Sequence, residues 1–245
     1  MSKTNKVTAI IQARVGSTRL PGKVLRPLLN RPMLNWVVER VKKSRLIDEV
    51  VIATTTQSGD DAIADLCHQQ GLFCYRGSEN DVLDRYYQAA KQLKTDSIVR
   101  ICSDCPMIDP GVCDLVVATF LGIVPRCDYL SNCDPTSYPL GLNAEIFSFE
   151  ALKQAWEKDD KPEWCEHVTP FIYNNPEIFN IHNIVNPVDY SSYRWTVDTL
   201  EDFSLIEKIY NYFDHGDFCW YEIIHAYEDN PSWRDINTHV QQKTV

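Results

Sequence analysis

Three basic residues cluster in one short stretch of an acidic chain. Arg14, Arg19 and Lys23 lie within ten residues in the segment IIQARVGSTRLPGK, whereas the 245-residue chain has a formal net charge of −10 at pH 7. The stretch begins as an apolar strand and continues as a polar loop with two glycines and two hydroxyl side chains. Basic side chains and backbone N–H groups in such a loop are the groups that bind phosphate. We therefore predict a phosphate-binding loop directly after the first strand.

The loop does not have the spacing of two common phosphate-binding motifs. A Walker A loop requires Ser or Thr after its lysine, whereas Val24 follows Lys23. The stretch is not a G-x-G-x-x-G loop either. The alternative interpretation is a solvated turn whose basic residues bind no ligand.

Two aspartates follow later predicted strands. Asp104 ends the run RICSD, and Asp198 ends the run RWTVD. Each could be structural, because Asp104 could cap the turn at Pro106, and Thr199-x-x-Asp202 resembles a capping box that opens the next helix. Near a phosphate-binding loop, however, the two carboxylates suggest a Mg²⁺ site, since Mg²⁺ binds few carboxylates together with substrate phosphates.

Alternating strands and helices must position these residues. Hydrophobic periodicity predicts helices at 33–43, 59–70, 79–93 and 111–122, between strands at 7–13, 49–54, 72–75 and 97–102. Ser78 is the predicted N-cap of the third helix. This order predicts a doubly wound, mostly parallel α/β sheet with helices on both faces, whose ligand site lies at the carboxyl ends of the strands.

The pattern changes after residue 125. Residues 126–147 predict a small antiparallel insertion that serves as a lid or a dimer contact. Further predicted elements are a strand at 193–198 and helices at 148–158, 163–174, 200–213 and 217–229. We find no linker or repeat, and we predict one domain over residues 1–245.

Composition excludes several classes of protein. The acidic balance argues against a general nucleic-acid binder. No apolar run approaches the roughly 20 residues of a membrane span, and the N-terminus lacks the features of a signal peptide. Nine cysteines without regular spacing are typical of reduced thiols in a cytoplasmic protein. Cys102 and Cys105 form a C-x-x-C, but no second pair completes a metal site.

Several motifs resemble the cytidylyltransferase family that activates acidic sugars, which includes CMP-KDO synthetase and CMP-N-acylneuraminate synthetases. The resemblance covers about residues 6–213, and it is strongest to the branch of spore coat polysaccharide biosynthesis protein F. It implies a single Rossmann-like domain that uses CTP and Mg²⁺, usually as a homodimer. The matching stretches are IIQARVGSTRLPGKVL, RGSENDVLDRYYQAA, IVRICSDCPMIDP, PLGLNAEIFSFEAL, EHVTPFI and RWTVDTLEDF.

The resemblance also implies roles for particular residues. Asp104 and Asp198 match the metal-binding aspartates of the family, and with Arg14 and Lys23 they form the predicted catalytic set. The nucleotide would contact residues of the loop and two residues beyond it. These predicted contacts are Ala13, Arg14, Gly16, Ser17, Arg19, Lys23, Arg76 and Asp104.

Three residues are predicted to bind the sugar: Glu145, His167 and Arg194. His167 could instead be structural, and Arg76 could instead form a surface ion pair with Glu79 or Asp81. We expect an arginine just before the EHVT motif in this branch, but Cys165 stands there, which leaves the acceptor unidentified.

The predicted reaction is attack of a sugar hydroxyl on the α-phosphate of CTP with loss of pyrophosphate. Substituting Lys23 by Ala should then lower turnover about a hundredfold with folding intact. The alternatives are a sugar 1-phosphate or phosphonate acceptor, a different nucleotide, a glycosyltransferase, or a non-catalytic nucleotide-binding module. Residues 214–245 carry no motif, and their Trp220, Tyr227 and Trp233 are predicted to pack in the core.

Overall fold

The computed structural model describes residues 5–159 and 161–242. Within these ranges a seven-stranded sheet forms the scaffold, and a two-stranded hairpin lies beside it. The strands are β1 (Val7–Gln12), β2 (Pro27–Leu28), β3 (Arg31–Pro32), β4 (Glu49–Thr55), β5 (Phe73–Gly77), β6 (Ser97–Cys102), β7 (Tyr129–Ser131), β8 (Glu145–Ser148) and β9 (Ile181–Asn183).

Helices connect these strands and cover the sheet. Among the described helices, none is both long enough and apolar enough to cross a membrane. The α-helices are α1 (Met33–Lys42), α2 (Asp61–Gln69), α3 (Val82–Leu93), α4 (Pro110–Gly122), α5 (Phe149–Lys158), α6 (Pro162–Cys165), α7 (Pro170–Tyr173), α8 (Leu200–Phe213) and α9 (Trp220–Asp229).

The strand order of the large sheet is β5-β4-β1-β6-β8-β7-β9. The first four strands are parallel, β8 runs antiparallel to β6, and β7 runs antiparallel to β8. The prediction of a mostly parallel α/β sheet is confirmed. Because β1 lies between two parallel neighbours, its carboxyl end, where the phosphate-binding loop begins, lies in the middle of the sheet edge.

The two faces of the sheet are packed by different helices. Ile11 of β1 belongs to a core with side chains of α1, α2 and α4. Its neighbour Ile10 belongs to a second core with side chains of α3, α5 and α7. Alternation along the strand therefore buries both faces, as a doubly wound sheet requires.

Several predicted boundaries are wrong. The third helix begins after Asp81, whose side chain accepts a hydrogen bond from the Asp84 N–H, so Asp81 is the N-cap and Ser78 is not. The predicted helix at 59–70 is a 3₁₀ turn (Ser58–Asp60) followed by α2.

Two predictions in the second half of the chain also need correction. Residues 193–198 are not a strand of the sheet, since among the described residues they make only an isolated bridge between Leu140 and Arg194. The predicted helix at 163–174 is two short helices, α6 and α7. Residues 126–147 contribute β7 and the start of β8 within the sheet, and the edge strand on that side is β9, which the sequence analysis missed.

A third core joins the C-terminal helices to the body of the protein. Trp220, Tyr227 and Trp233 are buried in it together with Trp36 and Trp195. The prediction that the three C-terminal aromatics serve packing is confirmed. This core fixes the 194–198 segment, because the Trp195 indole N–H also donates to the Tyr227 hydroxyl at 3.1 Å.

Candidate active site

A polar cleft lies where β1 and β6 end. It brings together the basic loop, both candidate metal-binding aspartates and one candidate sugar contact, although these lie far apart in the sequence. The predicted site residues that line it are Ala13, Arg14, Ser17, Arg19, Lys23, Asp104, His167 and Asp198.

Hydrogen bonds fold the loop back on Val15. The Val15 carbonyl accepts from the N–H of Ser17 at 2.8 Å and of Gly22 at 3.0 Å, and the Val15 N–H donates to Asp60 Oδ1 at 2.7 Å. Gly22 has φ of +70°, in the left-handed region that favours glycine. Ala13 is tied to β4, since its N–H donates to the Ala53 carbonyl at 3.1 Å. The loop is thus preorganised in shape before a ligand binds.

Lys23 lies between the two aspartates. Its ammonium donates to Asp104 Oδ2 at 2.8 Å, to Asp198 Oδ1 at 3.0 Å and to the Val197 carbonyl at 2.8 Å. Burial alone would lower the pKa of Lys23, but the two carboxylates outweigh burial and raise the pKa above its usual value. The side chain therefore remains charged at neutral pH.

Asp198 contacts three cations. Its Oδ1 contacts Lys23, and its Oδ2 contacts Arg19 and Arg194, both at 2.9 Å. Burial would raise the pKa of Asp198, but Lys23 and the two arginines lower it below the usual value. Arg194 also forms two hydrogen bonds with Asp202, which is buried and caps α8.

The two aspartates fit a divalent cation. Both already contact the same ammonium, so their oxygens converge on one position. Asp104 Oδ1 accepts only a weak 3.5 Å contact from the Cys105 thiol and retains acceptor capacity. Across the described ranges, no cluster of three or more His, Cys, Asp or Glu side chains is placed to hold a metal ion. The arrangement suits an ion that also binds substrate phosphates and water, as Mg²⁺ does.

Two further arginines line the cleft, Arg14 and Arg85. Arg14 is partly exposed, with contacts to Glu166 at 3.2 Å and Glu79 at 3.8 Å. Arg85 is 2 % exposed and donates from Nη1 to the carbonyls of Ser78 and Glu79. Its Nε has no hydrogen-bond partner, and no carboxylate of the described residues lies within ion-pair distance of it. Burial lowers the pKa of the Arg85 guanidinium, and Arg14 lowers it further.

Glu145 belongs to a buried ion pair. It is paired with Arg100 and accepts hydrogen bonds from the Tyr129 hydroxyl and from Thr169 Oγ1, each at 2.7 Å. Burial would raise the pKa of Glu145, but Arg100 and these donors lower it. Its oxygens are already used within the protein, and it does not line the cleft.

His167 lies on the same side of the site as this pair. It is half-buried and lines the cleft. Burial lowers the pKa of His167, and the nearby Arg100 lowers it further. The lowered pKa favours the neutral imidazole, and His167 is the one of the three predicted sugar contacts that lines the cleft.

Besides Glu145, three predicted contacts do not line the cleft. Gly16 lies within the loop but does not line the cleft, and Arg194 lies behind Asp198. Arg76 is ion-paired with Asp61 at 2.7 Å and donates to the backbone carbonyls of Thr55 and Gln57. The alternative of a surface ion pair is therefore observed, but with Asp61 instead of Glu79 or Asp81. The side chains of Arg76 and Arg194 are thus engaged within the protein.

Sequence reasoning missed Arg85, Asp60 and Glu166. Arg85 was missed because a single arginine within the amphipathic helix α3 is typical of an exposed surface residue. Asp60 had a usable signal, since it follows a predicted strand at the same sheet edge as Asp104. Glu166 stands within the EHVT motif itself.

The doubly wound sheet with a basic loop at its carboxyl edge is consistent with a nucleotidyltransferase. The family model for cytidylyltransferases matches residues 8–228. The chain therefore belongs to the cytidylyltransferase family.

Two curated relatives match most of the chain. An uncharacterised protein of Methanocaldococcus jannaschii is 40% identical over 242 residues, which cover 98% of this chain and 97% of the relative. Spore coat polysaccharide biosynthesis protein SpsF of Bacillus subtilis is 36% identical over 217 residues, 84% of this chain and 87% of the relative.

Solved structures show the same fold. A cytidylyltransferase from Leptospira borgpetersenii superposes with a TM-score of 0.89 at 36% identity, over 98% of this chain and 99% of the other. A CMP:2-keto-3-deoxy-manno-octonic acid synthetase complexed with CTP superposes with a TM-score of 0.65 at 17% identity, over 84% and 99%. The resemblance inferred from the motifs is confirmed at the level of family and fold.

Proposed function

We propose that this protein transfers a cytidylyl group from CTP to the hydroxyl of an acidic sugar, releasing pyrophosphate and supplying a CMP-sugar for surface polysaccharide synthesis. One observation carries the proposal: Lys23 bridges Asp104 and Asp198 beneath a preorganised phosphate loop. Family membership supports the cytidylyl part. The acidic sugar is supported by a relative named 3-deoxy-manno-octulosonate cytidylyltransferase, which matches 48% of this chain, and the polysaccharide by the name of SpsF.

The cleft residues supply positioning and charge. In the reaction an acceptor oxygen forms a bond to the α-phosphorus of CTP, the bond to the β-phosphate oxygen breaks, and pyrophosphate leaves with the negative charge. Arg14 and Lys23 would stabilise that charge, and the loop N–H groups would hold the phosphates. The acceptor proton passes to solvent or to a nearby base.

Asp104 and Asp198 would hold Mg²⁺. The bound ion would neutralise phosphate charge and lower the pKa of the attacking hydroxyl. The protein's own contribution is to keep the two carboxylates convergent, which Lys23, Arg19 and Arg194 do in the structure. Homodimer formation and a cytoplasmic location remain predictions.

The test is pyrophosphate release by the purified protein with Mg²⁺. CTP, UTP, ATP and GTP are each offered with nonulosonic acids, KDO and sugar 1-phosphates. Release with CTP and an acid sugar would support the proposal and identify the acceptor class. Release only with a sugar 1-phosphate or a phosphonate would overturn the acceptor, and release with another nucleotide only would overturn the donor.

Asp104→Asn is the matched control for this assay. It keeps the shape of the side chain and removes the charge, so both turnover and Mg²⁺-dependent stabilisation by CTP should be lost. If the wild-type protein binds CTP but turns over no acceptor, the result would favour a non-catalytic nucleotide-binding module.

A further inference from the structure

The C-terminal segment after α9 reaches the back of the active site. The family model ends at residue 228, so Asn237, Gln241 and Gln242 lie beyond it. Gln242 Oε1 accepts a hydrogen bond from Arg194 Nη1 at 2.7 Å, and the Gln241 carbonyl accepts from Arg19 Nη1 at 3.5 Å. Both arginines contact Asp198 with their other terminal nitrogen.

Asn237 makes the most buried of these connections. It is 4 % exposed, and its Nδ2 donates to the Arg194 carbonyl at 3.0 Å and to Asp202 Oδ1 at 2.8 Å. Asp202 is fully buried and accepts from the backbone N–H of Asp198 at 2.9 Å and of Thr199 at 3.1 Å. Asn237 thus contacts two of the residues that hold Asp198. It binds the backbone carbonyl of Arg194, whose guanidinium contacts the Asp198 carboxylate, and the side chain of Asp202, which accepts from the Asp198 N–H.

We infer that Asn237 is a positioning residue of the active site, which holds Asp198 in place through Arg194 and Asp202. This inference rests on the proposed function for its effect on turnover. Asp202 uses both of its oxygens in this network, and without the Asn237 amide its Oδ1 keeps only the bond from Arg194. A loosened Asp202 frees the Asp198 N–H and lets the Asp198 carboxylate move relative to Lys23. Partners that orient a metal-binding side chain contribute about 10-fold to 100-fold in affinity or activity.

The test compares Asn237→Ala with Asn230→Ala. Asn230 lies in the same part of the chain and donates one hydrogen bond to the Ala226 carbonyl, with no contact to Asp198 or its partners. Hydrogen exchange of the ligand-free protein reports on Asp198 and Thr199 amides directly. We expect Asn237→Ala to speed exchange of these two amides about tenfold or more, while Asn230→Ala leaves them as in wild type.

Turnover and Mg²⁺ dependence complete the test. In Asn237→Ala, kcat should fall about 10-fold or more, and the Mg²⁺ concentration that gives half-maximal activity should rise. In Asn230→Ala, kcat and this Mg²⁺ concentration should equal those of wild type. Unchanged exchange, or the same change in both variants, would overturn the inference. Faster exchange with wild-type kcat and wild-type Mg²⁺ dependence would also overturn it, because Asn237 would then serve stability alone.

Two further comparisons cover a variant that does not fold and a wild type without turnover. If Asn237→Ala does not fold, the smaller change Asn237→Ser, which also removes the amide donor to Asp202, should speed exchange at Asp198 in the same direction, and no change would contradict the inference. If the wild type releases no pyrophosphate with any substrate, the proposed function fails. The exchange comparison then still decides whether Asn237 holds Asp198.

Discussion

Lys23 holds two carboxylates together at the centre of the cleft. Its ammonium contacts both Asp104 and Asp198, and the side chain is only 10% exposed. Removing one partner of a buried ion pair leaves uncompensated charge, which costs far more than the pair contributes. Lys23 therefore has a structural role, which was not predicted from the sequence, in addition to the proposed role toward phosphate.

Lys23→Ala should lower turnover about a hundredfold or more and also lower the free energy of unfolding by about 3 kcal/mol. Mg²⁺ should raise the unfolding temperature of this variant more than that of wild type, because the two aspartates then lack their ammonium. Pyrophosphate release and thermal unfolding with and without Mg²⁺ measure these effects. In the double variant Lys23→Ala/Asp104→Asn, Mg²⁺ should no longer raise the unfolding temperature. The same rise in wild type, Lys23→Ala and the double variant would argue against the metal site.

Arg85 is a buried cation at the cleft without a carboxylate partner among the described residues. Burial of such a charge is costly, and two backbone carbonyls with the more distant Asp60 and Asp81 offset only part of that cost, so an acceptor on a ligand would stabilise it. The cleft that Arg85 lines also contains the phosphate-binding loop, so a phosphate oxygen or the base carbonyl of the nucleotide would supply that acceptor.

Arg85→Met should weaken CTP binding about 10-fold to 100-fold, the equivalent of one hydrogen bond to a charged group. Calorimetric titration with CTP measures the loss, and titration with inorganic triphosphate shows whether the phosphates are the contact. Arg45→Met removes an exposed arginine elsewhere and should bind CTP as wild type does. Unaltered CTP affinity in Arg85→Met would exclude Arg85 from the nucleotide site.

At the scale of elements, one buried ion pair joins the parallel and antiparallel parts of the sheet. Arg100 of β6 and Glu145 of β8 face each other in register, and Thr169, directly before α7, donates to the same carboxylate. The pair therefore fixes β8 against β6, on the side of the cleft where His167 lies.

Glu145→Gln should lower the free energy of unfolding by about 3–5 kcal/mol at neutral pH, because Arg100 is left unpaired. The pKa of Glu145 is lower in the folded protein than in the unfolded chain, where it is about 4.3. The ionised carboxylate therefore stabilises the folded state fully above the unfolded pKa, and this stabilisation is lost as the pH falls through the folded pKa. Urea unfolding between neutral and acid pH should show a weaker loss of stability in Glu145→Gln. The exposed Glu207→Gln should follow wild type, and parallel pH curves for all three proteins would contradict the assignment.

Gly141 lets the 140–142 turn approach the segment that carries Asp198. It has φ of +115°, and an added Cβ would lie 2.7 Å from the Trp195 carbonyl carbon and 2.8 Å from the Thr196 nitrogen. Both the conformation and the contact exclude a side chain. The close approach explains why residues 194–198 are held without belonging to the sheet.

Gly141→Ala should lower the free energy of unfolding by about 3 kcal/mol and reduce turnover as the 194–198 segment shifts. Gly59→Ala is the matched control, since nothing lies within 4 Å of its added Cβ. Chemical unfolding should show a change within about 0.5 kcal/mol for Gly59→Ala. Equal stability of the two variants would mean that the backbone at 141 can relax.

At the scale of the whole molecule, two cores lie on the sheet and a third lies beside it. Two of them pack on opposite faces of β1, and the third attaches the C-terminal helices through Trp36 of α1 and Trp195. Ala13 and Val82 line the cleft, and Val197 directly precedes Asp198. Because these three residues pack in three different cores, the site depends on all three.

We therefore expect residues 1–245 to unfold as one domain. Calorimetry should show a single transition whose calorimetric and van't Hoff enthalpies agree. Two separate transitions, in which the third core unfolds independently of the other two, would contradict the single-domain prediction. Added Mg²⁺ and CTP should shift the transition as a whole.

The sequence by itself determined the features that depend on local order. Apolar runs followed by polar loops located the parallel strands, and Thr199 and Asp202 identified the capping box that opens α8. The ends of parallel strands meet at one edge of the sheet, so the order of the strands was enough to place the loop residues and Asp104 together.

Tertiary structure decided what each charged side chain contacts. Arg76, Arg85, Arg100 and Arg194 look alike in the sequence, yet one forms a surface ion pair, one is buried at the cleft, and two neutralise buried acids. The contacts of Asn237 with Arg194 and Asp202 join residues more than thirty positions apart. Such partners are fixed by packing rather than by periodicity, because hydrogen bonding and burial act between groups that only the folded chain brings together.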